Sequence, residues 1–159
     1  MPFKPEPIIW ETIEKYFTLL QNHSVAAEMY QLILTDDFRT GFAGGHTWQG
    51  KKGIAEFLEA RSVFFDESHS VEQLAPPEPL PGGRWGTRTR LSFFLRLRED
   101  SAAWSQEFTG KAFHWWELDP AENPRDWRVA AQVVEGFAEL NPNAYRLFAD
   151  PENGLNFAT

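Results

Sequence analysis

The stretch RWGTRTRLSFFLRLR, residues 84–98, decides the fold because its chemistry alternates with every residue. Trp85, Leu91, Phe93, Leu95 and Leu97 occupy odd positions, whereas Arg84, Arg88, Arg90, Arg96 and Arg98 occupy even ones. Neighbouring side chains of a strand point to opposite faces, so the pattern predicts a long strand with one buried and one wet face. Antiparallel sheets accept that division, whereas parallel sheets are covered on both sides. Alone, the arginine stripe would suit an anionic partner. Glu107 and Glu117 on the next strand instead make it a solvated or subunit-facing side.

The segments around it keep the same period. AWSQEFTGKAFHWWEL (103–118) and DWRVAAQVVEGFAEL (126–140) read as two further strands, joined by the turn-rich DPAENPRD (119–126). SHSVEQL (68–74) is a candidate strand, and APPEPLPGG (75–83) is too rich in proline and glycine to be anything but an exposed connection. Upstream the period becomes helical. Ile9, Ile13, Tyr16, Phe17 and Leu20 follow Pro7, a residue suited to a first turn. Ser24 is placed to cap a second helix with Ala26, Met29, Tyr30 and Ile33 on its apolar face. Phe38, Thr40 and Phe42 alternate like a short strand before a glycine-rich turn, and Gly50–Phe65 returns to helical spacing through Ile54, Phe57, Leu58 and Phe64. Helices followed by long antiparallel strands predict an α+β fold.

Composition narrows the function. A chain of 159 residues is expected to form one domain, residues 1–159, with a core at about 8–140 and a tail at 141–159. The tail carries Tyr145, Leu147, Phe148, Leu155 and Phe157, which predicts that it packs on the domain or on a partner. A net charge of −8 argues against nucleic acid and anionic membrane as partners. The absence of cysteine excludes disulfides, thiolate catalysis and thiolate-bound zinc. With no signal-like apolar stretch, the expected location is the cytoplasm. Seven Trp and fourteen Phe supply rings for a core and for an apolar small-molecule pocket.

AAEMYQLILTDDF (26–38), HTWQGKKGIAEFLE (46–59) and the final DWRVAAQVV (126–134) together resemble the nuclear transport factor 2-like superfamily and its SnoaL-like branch, over roughly residues 8–140. The acidic pair Asp36–Asp37 before a strand and Trp48-Gln49-Gly50 opening a helix carry most of the likeness. The resemblance implies a cone-shaped barrel, a bent antiparallel sheet wrapped around the N-terminal helices and enclosing a cavity.

GKAFHWWELD (110–119) holds the main candidate for chemistry. Alternation puts Trp104, Phe108, Gly110, Ala112, His114 and Trp116 on the inner face, and Glu107, Lys111, Phe113, Trp115 and Glu117 outside. Small Gly110 and Ala112 leave room beside His114. In ketosteroid isomerase relatives of this fold a first-helix tyrosine and a late-strand acid polarise a substrate oxygen. The resemblance sets Tyr16 and His114 at those places. The relatives' base falls close to Phe42, which cannot take a proton, so ketosteroid-type transfer is not expected. Alternation from Trp127 makes Glu135 the candidate cavity carboxylate, with Gln132 taking its place after a one-residue slip. Asp36 and Asp37 are alternatives, though turn-ordering explains them as well.

The expected site is therefore His114, Tyr16 and Glu135 for catalysis, with Trp116, Phe108, Phe42, Trp48 and Trp127 around an apolar ligand. His23, His46, His69 and His114 lack metal-ligand spacing, so no metal and no cofactor is expected. The implied function is a small-molecule pocket protein of the SnoaL-like type: a cofactor-independent isomerase, cyclase, dehydratase or hydrolase on an apolar oxygenated substrate. The alternative is a non-catalytic ligand-binding or dimeric interaction module. Phe113, Trp115, Val134 and Leu140 on the outer face predict a homodimer.

Overall fold

The computed structural model describes residues 4–62, 64–97 and 107–152. Chain order is α1 (Glu6–Gln21), α2 (Ala26–Leu32), β1 (Leu34–Phe42), β2 (Thr47–Gln49), α3 (Gly50–Arg61), β3 (Phe64–Gln73), β4 (Glu78–Pro79), β5 (Trp85–Leu97), β6 (Glu107–Asp119), β7 (Arg128–Ala138) and a helical tail from Pro142 to Ala149. The expected strand start at 103–106 and the tail residues Leu155 and Phe157 lie outside the described residues. Among the described residues, no helix is long and apolar enough to cross a membrane.

Periodicity shaped α1 as expected: Ile9, Ile13, Tyr16, Phe17 and Leu20 are buried along one face. Ser24 does not cap α2. Val25 holds the N-cap position without a side-chain bond, and Ser24 is itself buried. α3 is shorter than its pattern suggested, ending at Arg61, because the apolar positions that follow already belong to β3.

The α+β fold is built on a sheet of path β2-β1-β7-β6-β5-β3, with β4 paired onto β5. It departs from an all-antiparallel barrel in two ways. β1 runs parallel to β7, and the path is open, with β2 and β3 at its ends. Period-two patterning reports which face is buried, not which strand direction lies alongside, so the parallel pair was invisible to it.

On β5 the odd residues Leu91, Phe93 and Leu95 are buried, while Arg84 just before the strand and Arg88 and Arg90 on it find acids on the outer face. Arg84 forks onto Asp37 at 3.0 Å, Arg88 reaches Glu135 at 3.0 Å, and Arg90 pairs with Glu72. These three arginines are thus paired within the chain, mostly by strands other than the one expected. Trp115 lies over Gly86, where a Cβ would come within 2.3 Å of the indole, and under the Arg88 guanidinium at 4.6 Å. Glycine there is what lets the ring lie flat on the sheet.

Two bulges in β7 set the inner face. Leu118 pairs with Val129 but Glu117 with Ala131, so Ala130 is an extra residue. His114 pairs with Val134 but Phe113 with Gly136, so Glu135 is a second one. Each insertion shifts the alternation by one residue. Gln132 and Val134 consequently share the face of Trp116 and His114, and Phe137 that of Ala112.

Candidate functional site

Between α1, α3 and the inner sheet face lies a pocket of about 170 Å³. Its walls are largely rings and aliphatic chains: Phe17 and Leu20 from α1, Phe57 from α3, Phe42 and Trp48 from β1 and β2, Leu91, Phe93 and Leu95 from β5. Thr40, Arg61, His69, His114 and Gln132 are the polar and charged side chains of its lining, among the described residues. For scale, an engineered apolar cavity of ~150 Å³ takes benzene.

His114 is 3% exposed and lines this pocket. Trp116 meets its ring edge-on at 5.9 Å, and Phe17 stands 6.4 Å away. Burial in this apolar surround disfavours the imidazolium and pulls the pKa down to about 3, so the ring is neutral at pH 7. Among the described residues, no group bonds its buried Nδ1.

His69, on β3, was not singled out by sequence, yet it lines the same pocket. Its ring stacks on Phe17 at 4.7 Å. The Gln21 side-chain amide lies 2.7 Å from its Nδ1. An amide nitrogen can only donate, so Nδ1 accepts and the ring proton sits on Nε2. Burial, then the positive charge of Arg61, then His114 lower its pKa to about 3. A signal existed: His69 alternates with exposed Ser68 and Ser70 in phase with half-buried Val71.

Gln132 replaces Glu135 on the inner face, as the Ala130 bulge requires. Its Oε1 accepts from the Tyr16 hydroxyl at 2.9 Å and from Thr40 Oγ1 at 3.1 Å. With the oxygen so held, the NH2 is a donor that neither hydroxyl uses. Tyr16 is fully buried and is not part of the pocket wall; it touches the site through Gln132. Burial raises its pKa well above that of a free phenol, partly offset by Arg61 and Thr40, so it stays a donor.

The expected carboxylate fails on geometry. Glu135 is exposed on the outer face and pairs with Arg88, because it is the bulged residue. Asp37 is also outside: the Arg84 fork, helped by Thr35, lowers its pKa to about 2. Among the expected rings, Phe42 and Trp48 line the pocket. Trp116 lies behind it, donating from Nε1 to Thr89 at 2.8 Å and meeting Tyr16 edge-on at 5.4 Å. Phe108 packs on Phe64, and Trp127 donates to the Ala121 carbonyl at 3.1 Å; neither is in the pocket wall. Val134 faces the pocket and Leu140 packs onto the core beside Gly110, so neither belongs to the outer face. Phe148 of the tail lines the pocket, stacked on Phe137 at 5.4 Å.

Among the described residues, no three His, Asp or Glu side chains gather as a metal-binding set. No protein-family model and no curated protein sequence matches the chain. Solved structures do. A hexachlorocyclohexane dehydrochlorinase, LinA type 2, is 14% identical with a TM-score of 0.66, over 92% of this chain and 93% of that one. ActVI-ORFA from Streptomyces coelicolor is 12% identical with a TM-score of 0.60, over 81% and 94%. A nuclear transport factor 2-like superfamily protein from Salmonella enterica is 20% identical with a TM-score of 0.53, over 80% and 87%. The chain thus has the nuclear transport factor 2-like α+β fold that its sequence resembles.

Proposed function

We propose that this chain binds an apolar, oxygen-bearing small molecule in the pocket and performs a cofactor-independent proton transfer on it: an isomerisation, cyclisation, dehydration or other elimination. One observation carries the reading. Two neutral imidazoles and a tethered amide share a lining made mostly of rings and aliphatic chains.

The roles follow from what each group can donate. His69 Nε2–H and the Gln132 NH2 hydrogen-bond the ligand oxygen, and a neutral imidazole is a competent electrophile for this purpose. Tyr16 and Thr40 are positioning residues that hold the Gln132 oxygen, Tyr16 from behind the pocket wall and Thr40 from within it. His114 Nδ1 takes the proton. A ring held near pKa 3 is a weak base in the empty pocket. It strengthens as negative charge grows on the ligand oxygen beside it. A dehydrochlorinase among the structural neighbours supports an elimination, in which the C–H proton goes to the base and the leaving group departs with its electron pair.

A second reading, ligand binding without chemistry, is favoured by the lack of any carboxylate among the described lining residues. An enolisable probe, 2-acetonaphthone, separates the two. Calorimetry should show binding that weakens at least ~10-fold in His114→Phe, a loss of about 1.4 kcal/mol. In deuterium oxide the wild type should then exchange the ketone's methyl protons faster than that variant. Binding without exchange selects the non-catalytic reading; no binding contradicts both.

The same reading includes a homodimer through the outer sheet face, where Phe113 and Trp115 are only half covered. Sedimentation at micromolar concentration should give a dimer. A monomer there would end the idea.

A further inference from the structure

We propose that the ligand carries an acidic oxygen group, a carboxylate or an ionised enol or phenol, and that Arg61 is the residue that selects it. This rests on the pocket reading above and adds the charge of what the pocket takes.

Arg61 closes α3, and it is the one charged side chain of the pocket lining among the described residues. Its side chain is 17% exposed, far below what an arginine with free choice adopts. Its partner, Glu67 on β3, is buried to 1% exposure and takes one guanidinium nitrogen through Oε1. Glu67 does not line the pocket and Arg61 does, so the cation is the member of the pair that borders the ligand space, as it also borders a neighbouring cleft beside His23 and Leu58. The Phe57 ring supports the guanidinium, 5.9 Å from centroid to carbon. A guanidinium carries five N–H donors in a planar fork, and among the described residues Glu67 is the acceptor that uses one of its nitrogens.

Two other polar groups of the lining ask for the same kind of partner. Gln132 has its oxygen committed to Tyr16 and Thr40 and offers NH2. His69 has its acceptor nitrogen committed to Gln21 and offers N–H. The positive field of Arg61 also reaches both His69 and Tyr16, lowering the pKa of each against or along with the effect of burial. An anion entering such a pocket loses its hydration and stays only where charge-assisted bonds replace it. A guanidinium already fixed by Glu67 and Phe57 supplies them with little further ordering.

The test compares 2-naphthoate with 2-acetonaphthone, which share a ring system and differ in charge, by calorimetry at neutral pH. Wild type should bind the acid at least ~10-fold more tightly than the ketone. Arg61→Lys should keep part of that preference. Arg61→Gln strands the buried carboxylate and can unfold the chain, so the double variant Arg61→Gln/Glu67→Gln, which removes both charges at similar volume, is the decisive one. Its acid-to-ketone preference should fall to about one. Ketone binding equal to or tighter than acid binding in wild type, or a preference unchanged in the double variant, overturns the proposal while the pocket reading stands. Binding of neither compound removes both.

Discussion

The Tyr16 hydroxyl donates to Oε1 of Gln132 over 2.9 Å, linking the first helix to the last strand across 116 positions of sequence. Thr40 shares the same acceptor at 3.1 Å. Tyr16→Phe removes one of two donors from a buried carbonyl, which should cost about 1–3 kcal/mol of stability. It should also weaken ketone binding, because Gln132 then loses its orientation. Tyr16→Phe and Thr40→Val act on one acceptor, so their effects should not add. Urea unfolding of the two single variants and the double variant checks this.

Much of this arrangement was legible in the sequence. The alternation of β5 and β6 gave the buried face and the inward side of His114, because period-two patterning encodes facing directly. Tyr16 likewise fell on the buried stripe of α1. On the last strand alternation alone leaves Glu135 and Gln132 as rival inward residues, and the structure selects Gln132 for a definite reason. An extra residue at Ala130 and another at Glu135 shift its alternation twice, and small or polar residues at bulges leave no mark in a hydrophobic pattern. His69 was overlooked because a histidine between serines looks solvated until a helix is packed over it. Arg61 was hidden by its place at a helix end, where a basic residue is unremarkable.

Glu135 supplies a negative control. It is exposed and paired with Arg88, so Glu135→Ala should cost less than about 1 kcal/mol. Ligand binding and proton exchange should be unchanged. A large loss of either in this variant, measured by calorimetry and deuterium exchange, would restore it to the site.

The two pocket histidines set an acid limit. Each has a folded pKa of about 3 against an ordinary 6.5, so the unfolded chain binds more protons between those values. Stability is therefore full above the ordinary histidine pKa and falls as the pH drops toward the folded value. Each ring adds a slope of up to about 1.4 kcal/mol per pH unit. Glu67 works the other way, since burial raises its pKa and its protonation relieves the folded state. Asp37, lowered to about 2 by the Arg84 fork, adds a loss only below the ordinary carboxylate range of 3.8. Urea unfolding across this interval should show destabilisation beginning near the histidine range. His114→Gln should flatten the slope, and an unchanged slope would contradict the assignment.

Phe148 ties the tail to the pocket, stacked on Phe137 at 5.4 Å and edge-on to Phe93 at 5.7 Å. Asn141 starts that segment by accepting from the Ala144 amide and donating to the Glu107 carbonyl. Phe148→Ala should lower stability by about 1–3 kcal/mol, less than for a fully buried ring. Truncation after Asn141 should cost more and weaken ketone binding. Thermal melting and calorimetry on both decide whether the tail is part of the wall.

The most direct test of the account is nitrogen-resolved NMR of the imidazole rings in uniformly labelled protein at neutral pH, with and without 2-acetonaphthone. His69 and His114 should both be neutral, with the His69 proton on Nε2. Ketone addition should move His69 Nε2 and His114 Nδ1, while His46, outside the pocket wall, stays still. Imidazolium signals for either ring, or a bound ketone that leaves both rings unmoved, would contradict a pocket built on two neutral histidines.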